Sequence, residues 1–525
     1  MLWLFGWFEC ALGILVYPFT DCKVDHEALF TDCGLMRHHH YACTSDGYIL
    51  NLQRISKLPV STHGKTHTTT DANVSGTTWQ PQRILLIHGF LQDSDSFICP
   101  GERSIVHNLA HAVDSSSGLP KYEVWLGNNR GNRYSHGHTS LRHGGGGDGS
   151  CACHSSGFSN SEHEDQYWNY CIDDLAGSDV PCMIEYVSSF STGSGSDGNG
   201  QRSSTVDCGD GGGGQVVVIG FSQGSTQVFG FLSAVPSGSD SDSCGGSRLT
   251  FEAGIRERVA LFVALAPAVQ IPHIGDTTNV LTSFVHALIS IHPTAIFRAL
   301  FGSKCVLGFT RWVQERWPAR LYTWFVRVVM HVAFGWDCRC ISLVRQLELF
   351  RYCYSFGSVK CVHHWYQISE NRTLCGFRLD NLDHVAEKKG TEGEMLSGQG
   401  VCEYDLGRIV CPVALFIGEK DSVIDPSGFV HKCSDPHYAD KSLPPLLLPN
   451  AKLVDVVLLS GYEHLDLIWA DDVLQRVNEP LMTIIDQHTY SNINSNTCGE
   501  IRKEHVSEKG EIRKNNLGSM YNLNI

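Results

Sequence analysis

The pentapeptide Gly220-Phe221-Ser222-Gln223-Gly224 places a serine in the middle of a G-x-S-x-G spacing. Such a serine can act as a nucleophile when the chain turns so sharply that glycine is needed on both sides of it. The apolar run 216–219 before the motif is typical of a buried strand, and the residues after it have apolar side chains at helical spacing. This strand–turn–helix context predicts that Ser222 is the nucleophile of a hydrolase.

A serine hydroxyl needs a base to activate it, and the base needs a carboxylate that orients it. Asp421 and His464 each follow an apolar run that predicts a strand, and they come after Ser222 in the order nucleophile, acid, base. We therefore expect His464 to be the general base and Asp421 its carboxylate partner. Glu419 and Asp425 lie close to Asp421 in the sequence and are alternative carboxylates.

Acyl transfer also requires two backbone N–H groups that stabilise the negatively charged oxygen of the tetrahedral intermediate. Gln223, directly after the nucleophile, begins the predicted helix and offers one such donor. The loop 87–92 follows an early predicted strand and offers the second, with Phe90 as the first candidate and Leu91 as the alternative. The reaction predicted from these residues needs no metal and no cofactor.

Short runs of Val, Ile and Leu alternate with helical patterns along the chain, and such continuous apolar runs suit strands that are covered on both faces. They predict an α/β fold with a mostly parallel sheet wound with helices. The runs occupy residues 83–87, 122–126, 216–219, 261–265, 413–417 and 453–459.

The chain has 525 residues, which is more than one compact core usually holds. Its 55 acidic and 40 basic residues give a net charge of −15, and no basic block could follow a phosphate backbone, so nucleic acid is excluded as a partner. The 21 cysteines are scattered without the spacing of a zinc site.

Residues 1–19 are almost continuously apolar, interrupted only by Glu9. Their length lies between that of a signal-peptide core and that of a full membrane span. We expect an uncleaved hydrophobic helix that anchors the protein to a membrane. A cleaved signal, with a secreted or lysosomal protein, and a buried first helix are the alternatives.

The predicted domain organisation has five parts. Residues 1–20 form the hydrophobic segment, 21–269 the first part of the catalytic core with low-complexity loop insertions, and 405–485 its second part. Between them, 270–404 form a helical cap, and 486–525 form a polar tail. The cap region contains many aromatic residues, which favour an apolar surface that accepts acyl chains; five of them are Trp312, Trp317, Trp324, Trp336 and Trp365.

Several segments together resemble the acid lipase family of α/β-hydrolases, which includes gastric and lysosomal acid lipases and membrane-anchored sterol ester hydrolases of fungi. The resemblance runs from about residue 37 to 475 and rests on segments 44–50, 88–92, 124–132, 220–224, 264–268 and 464–469. It implies an α/β-hydrolase fold, the triad Ser222, Asp421 and His464, and a neutral-lipid substrate, either a sterol ester or a triacylglycerol. Segments 130–135, 220–224 and 359–365 are similar to the sterol ester hydrolase branch.

The sequence therefore predicts a lipase or esterase that works through an acyl-enzyme at a membrane or lipid-droplet surface. Two alternatives are a serine hydrolase of small esters or thioesters and a catalytically inactive lipid-binding protein. The sequence assigns no oligomeric state.

Overall fold

A computed structural model describes residues 25–59, 80–141, 165–190, 214–234, 254–272, 313–377 except 315 and 353, 403–425, 448, 451 and 453–497, the last with side chains to residue 489. The predicted N-terminal hydrophobic helix, residues 1–20, lies outside this part of the chain. None of the helices in the described ranges is long and apolar enough to cross a membrane.

The described strands form one sheet in which the central strands are parallel. Its order is β1-β2-β4-β3-β6-β7-β8-β9, with β5 paired to β2. The strands are β1 (Leu35–Cys43), β2 (Tyr48–Lys57), β3 (Gln82–Ile87), β4 (Tyr122–Gly127), β5 (Gly137–His138), β6 (Val216–Phe221), β7 (Val259–Leu265), β8 (Val413–Gly418) and β9 (Leu453–Leu459).

The six apolar runs of the sequence correspond to β3, β4, β6, β7, β8 and β9, and these strands are all parallel to one another. The predicted mostly parallel sheet is thus confirmed. Apolar runs did not predict the antiparallel strands β1 and β2, in which polar and apolar residues are mixed. β1 is the edge strand of the sheet, and it carries His38, His39 and His40 at partly or fully exposed positions.

Helices cover both faces of this sheet. The described helices are α1 (Ala28–Thr31), α2 (Ile105–His111), α3 (Ile172–Asp174), α4 (Val180–Ser189), α5 (Gln223–Ser233), α6 (Ala319–Phe334), α7 (Leu343–Leu349), α8 (Val359–Asn371), α9 (Asp466–Trp469) and α10 (Glu479–Thr497). Helices α6, α7 and α8 fall within 270–404, and α10 runs across the predicted boundary between 485 and 486.

Alternate residues of β6 pack into two different apolar layers. Val217 and Ile219 belong to the layer that includes residues of α2 and α10. Val216 and Val218 belong to the layer that includes residues of α4 and α5. All six residues of β6 are buried, and burying each such side chain contributes about 1.5–3 kcal/mol to folding. The strand that leads to Ser222 is therefore held firmly on both sides.

Candidate active site

Ser222 lies at the sharp turn between β6 and α5. Its backbone has φ 53° and ψ −121°, a left-handed conformation that side chains rarely adopt and that costs about 1–3 kcal/mol. The Ser222 N–H donates to the Leu265 carbonyl oxygen at the end of β7, at 2.9 Å. The neighbouring strand thus helps to hold the strained turn.

The two glycines of the motif are required by close backbone contacts. A Cβ atom at Gly220 would lie 2.6 Å from the Ser225 Cα atom, and one at Gly224 would collide with the Ile87 carbonyl oxygen. Neither neighbour is a flexible side chain that could move aside. The turn packs so tightly against α5 and the end of β3 that only glycine fits.

The structure brings Ser222, His464 and Asp421 into one hydrogen-bonded chain. His464 Nε2 lies 2.7 Å from Ser222 Oγ, and His464 Nδ1 lies 2.6 Å from Asp421 Oδ2. An ionised carboxylate only accepts hydrogen bonds, so Nδ1 carries the proton and Nε2 is the atom that can accept the serine proton. His464 and Asp421 are both buried. This is the geometry that a serine nucleophile and its base require.

The alternative carboxylates have other partners. Glu419 is exposed, and its carboxylate accepts hydrogen bonds from the Ser460 hydroxyl at 2.7 Å and the Gly461 N–H at 2.9 Å. It thereby stabilises the turn before the His464 loop. Asp425 follows later in the Asp421 loop, where its N–H donates to the Gln270 carbonyl oxygen. Asp421 is the residue whose carboxylate reaches His464.

The predicted oxyanion donors belong to two different segments: Gln223 is the first residue of α5, and Phe90 lies in the loop after β3. In the described part of the chain, neither the Phe90 N–H nor the Gln223 N–H donates to a protein acceptor. The loop after β3 packs directly on the nucleophile, because a Cβ atom at Gly89 would lie 3.1 Å from Ser222 Cβ. The role of the Phe90 and Gln223 N–H groups as oxyanion donors stays a prediction. Leu91, the alternative donor in the same loop, has a backbone φ of 56°.

His88 stabilises this loop, and the sequence patterns did not single it out. Its Nδ1 lies 2.8 Å from the Gly89 carbonyl oxygen, while Nε2 accepts from the Asn129 N–H at 3.1 Å and from Asn132 Nδ2 at 3.0 Å. Burial lowers the pKa of His88 to about 4, so the ring is neutral near pH 7. A histidine at the end of a buried strand, directly before a glycine, was the available signal.

Two of the tryptophans assigned to the predicted cap contact residues of the site. Trp365 Nε1 of α8 donates to Gln223 Oε1 at 2.8 Å. The Trp336 ring stacks on the His464 ring with centroids 5.2 Å apart. Trp317 instead packs edge-on against Phe325 within the same region. The sequence predicted that these rings form a surface that accepts acyl chains. The spacing of residues along the chain did not predict that Trp365 contacts Gln223 or that Trp336 contacts His464.

One buried cluster contains groups that bind metals in other proteins. Ligand atoms of Cys171, Asp173 and His364 all lie within 4.8 Å of one another. However, the Asp173 carboxylate accepts from the Phe377 N–H and the Tyr404 hydroxyl, and His364 Nε2 is hydrogen-bonded to the Cys375 carbonyl oxygen. Because both Asp173 oxygens and His364 Nε2 already have protein hydrogen-bond partners, we assign the cluster a structural role.

Comparison with known proteins shows that the chain is similar to lipases. Residues 27–101 match the family model of the partial alpha/beta-hydrolase lipase region. Two probable lipases of Schizosaccharomyces pombe are 27% and 26% identical to the chain; the alignments cover 91% and 92% of it, and 81% and 87% of those proteins. Human gastric triacylglycerol lipase is 22% identical, over 87% of this chain and 90% of its own.

The alignments with these relatives cover most of the chain, from 87% to 92% of it. The chain is therefore similar over most of its length to known lipases, and part of it matches an α/β-hydrolase lipase model.

Proposed function

We propose that the protein is a lipase or esterase that hydrolyses neutral lipid esters through an acyl-enzyme. The observation that carries this proposal is the continuous hydrogen-bonded chain from Asp421 through His464 to Ser222. Ser222 is the nucleophile, His464 the general base and acid, and Asp421 the carboxylate that orients the imidazole. The N–H groups of Phe90 and Gln223 are the proposed oxyanion donors.

The reaction proceeds in two halves. His464 Nε2 takes the Ser222 proton as the hydroxyl oxygen attacks the ester carbonyl, and the resulting oxyanion is stabilised by the two N–H groups. His464 then gives its proton to the leaving alcohol, and the acyl group remains on Ser222. In the second half a water molecule, deprotonated by His464, attacks the acyl-enzyme, and His464 returns that proton to the Ser222 oxygen as the fatty acid leaves.

The proposed substrate class rests on the similarity of the chain to lipases. A small cleft beside Gln223 is lined by apolar residues, among them Phe90 and Phe356, and by polar ones, among them His88 and Asn129. The relatives are named lipases, one of them a triacylglycerol lipase. We propose a sterol ester or triacylglycerol as substrate, met at a membrane or lipid-droplet surface, with a secreted or lysosomal protein as the alternative location.

The decisive experiment combines activity with covalent labelling. Ser222→Ala should abolish hydrolysis of long-chain esters and labelling by a fluorophosphonate, while the circular dichroism spectrum stays unchanged. Ser140→Ala is the matched control, because this exposed serine also lies beside a histidine, His138, at 3.5 Å. Full activity in Ser222→Ala would refute the proposal.

The substrate class is tested on the wild-type protein. We expect turnover of emulsified trioleoylglycerol or cholesteryl oleate to exceed that of soluble butyrate esters and thioesters. A preference for the soluble esters would instead indicate a small-ester or thioester hydrolase. Absence of both turnover and labelling would indicate an inactive lipid-binding protein.

A further inference from the structure

The turn formed by residues 336–338, here called the cap turn, follows directly after α6. Helix α6 ends at Phe334, and Gly335 takes the left-handed conformation with φ 73°. The Gly335 N–H donates to the His331 carbonyl oxygen at 2.9 Å. This closure ends the helix and reverses the chain, so that Trp336 comes next to the His464 loop.

The Trp336 ring lies parallel to the His464 imidazole. The two planes differ by 6°, their centroids are 5.2 Å apart, and Trp336 is only 5% exposed. Phe334 stacks on Trp336 at 4.4 Å, and Phe221 contacts the His464 ring at 5.3 Å. The imidazole is therefore in contact with aromatic rings from both β6 and the cap turn.

A second contact fixes the residue directly before His464. The Glu463 carboxylate accepts hydrogen bonds from the Asp337 N–H at 2.9 Å and the Cys338 N–H at 2.8 Å. Two successive N–H groups thus converge on one anion. Hydrogen bonds to a charged acceptor are about twice as strong as neutral ones. The cap turn thus holds both the ring of His464 and the backbone beside it.

The loop that carries Asp421 is tied to the same region. The Ser422 hydroxyl, directly after Asp421, donates to the Phe334 carbonyl oxygen at the end of α6. One short segment therefore contacts the neighbours of both His464 and Asp421, although more than 80 residues separate it from either. Contacts of this kind restrict how the imidazole can rotate.

We infer that Trp336 and Glu463 are positioning residues for the base His464, an inference that rests on the proposed function. The imidazole must keep Nδ1 on Asp421 and Nε2 on Ser222 in both halves of the reaction, and it becomes a cation in each. A parallel indole opposes ring rotation, and its π face attracts the imidazolium. Glu463 fixes the backbone from which the imidazole projects.

The test uses a soluble p-nitrophenyl ester, which needs no lipid interface. Trp336→Leu should lower kcat about 10-fold and leave KM nearly unchanged. A 10-fold change corresponds to the upper range of the interaction energy of an aromatic pair. The rate at which a fluorophosphonate labels Ser222 should fall by a similar factor. Trp336→Phe keeps an aromatic face and should recover most of both rates.

Glu463→Gln gives a second variant that leaves the indole in place. It should lower kcat in the same direction, and the effects of Trp336→Leu and Glu463→Gln should be less than additive in a double-mutant cycle, because both act through the cap turn. Phe377→Leu is the matched control: it removes an aromatic ring of the same region that packs against His363 and His364, and it should leave kcat unchanged.

The inference is overturned if Trp336→Leu keeps the wild-type kcat and labelling rate, or if Phe377→Leu lowers both as much, which would show general loosening of the region. It is also overturned if Trp336→Phe fails to recover activity while remaining folded. Failure of the proposed function is recognised separately, since wild-type protein and Ser222→Ala would then behave alike.

Discussion

The negative charge of Asp421 matters to His464 because the imidazole becomes a cation during each proton transfer. Its carboxylate is buried, lies 2.6 Å from His464 Nδ1, and also accepts from the Val423 N–H at 3.0 Å. An amide in its place would fit the space but could stabilise the wrong tautomer of the imidazole.

We therefore expect Asp421→Asn to lower kcat by roughly 10³–10⁴-fold, the scale known for this change in other serine triads, while the fold is retained. The measurement is kcat for a soluble ester, with the melting temperature as the check on folding. Glu419→Gln is the control, because in the described ranges its carboxylate bonds the Ser460–Gly461 turn and does not reach His464. Equal losses in the two variants would contradict the assignment.

Asp466 is a second buried carboxylate near His464, and it makes stability depend on pH. Its Oδ2 accepts from the Glu463 N–H at 2.7 Å. Burial, together with the negative charge of Glu463, raises the pKa of Asp466 to about 7. The folded state thus binds a proton that the unfolded state releases, so this stabilisation is complete below the unfolded pKa near 4 and is lost as the pH rises through 7.

Asp466→Asn should therefore reduce the loss of unfolding free energy that occurs as the pH rises. Between pH 5 and 7.5 the wild type should lose about 2 kcal/mol more unfolding free energy than the variant, measured by urea denaturation at both pH values. Asp455→Asn, at an exposed position on β9, should follow the wild-type profile. Parallel profiles for Asp466→Asn and wild type would refute this explanation.

At the scale of elements, the junction between β6 and α5 holds the nucleophile at the cost of backbone strain. The left-handed Ser222 is stabilised by tight packing of Gly224 against the end of β3. That packing also sets the position of α5, whose first N–H group belongs to Gln223. A side chain at position 224 would separate β3 from α5.

Gly224→Ala should consequently destabilise the protein by several kcal/mol and lower activity in whatever fraction still folds. Thermal unfolding and fluorophosphonate labelling measure the two effects. Gly230→Ala, later in the same helix, should be tolerated, because its Cβ would meet only side-chain atoms, the nearest being Ala176 Cβ at 3.0 Å. A stable, active Gly224→Ala protein would disprove the packing argument.

At the scale of the whole molecule, Arg130 joins three parts of the chain that are distant in sequence. Its Nε lies 2.7 Å from Asp179 Oδ1, and its two terminal nitrogens contact Asp46 in the turn between β1 and β2. The side chains of Arg130 and Asp179 are almost completely buried. Burial raises the pKa of Asp179 to about 6, although the charge of Arg130 opposes this.

Arg130→Met would leave Asp179 buried without its cation, and we expect the free energy of unfolding at pH 7.5 to fall by about 3–5 kcal/mol. The loss should be smaller at pH 5, where Asp179 can take up a proton. Urea denaturation at both pH values measures this. Arg408→Met removes an exposed ion pair with Asp405 and should change stability by at most about 1 kcal/mol. Similar losses in both variants would argue against the buried network.

Much of the fold could be predicted because burial on both faces leaves a local mark in the sequence. Strands β3, β4, β6, β7, β8 and β9 appear as short Val, Ile and Leu runs, and glycines mark the turn at Ser222. Strands β1 and β2 carry mixed polar and apolar residues because they lie towards the edge of the sheet, so apolar runs did not predict them.

The order of Ser222, Asp421 and His464 after successive strands also follows from the sequence, because parallel strands bring their carboxyl ends to one edge of the sheet. Only the tertiary structure decided which carboxylate reaches His464, and it alone placed Trp336 on that ring and Trp365 on Gln223. These contacts join segments more than 40 residues apart. They depend on how loops and helices pack in space, and periodicity along the chain does not encode that.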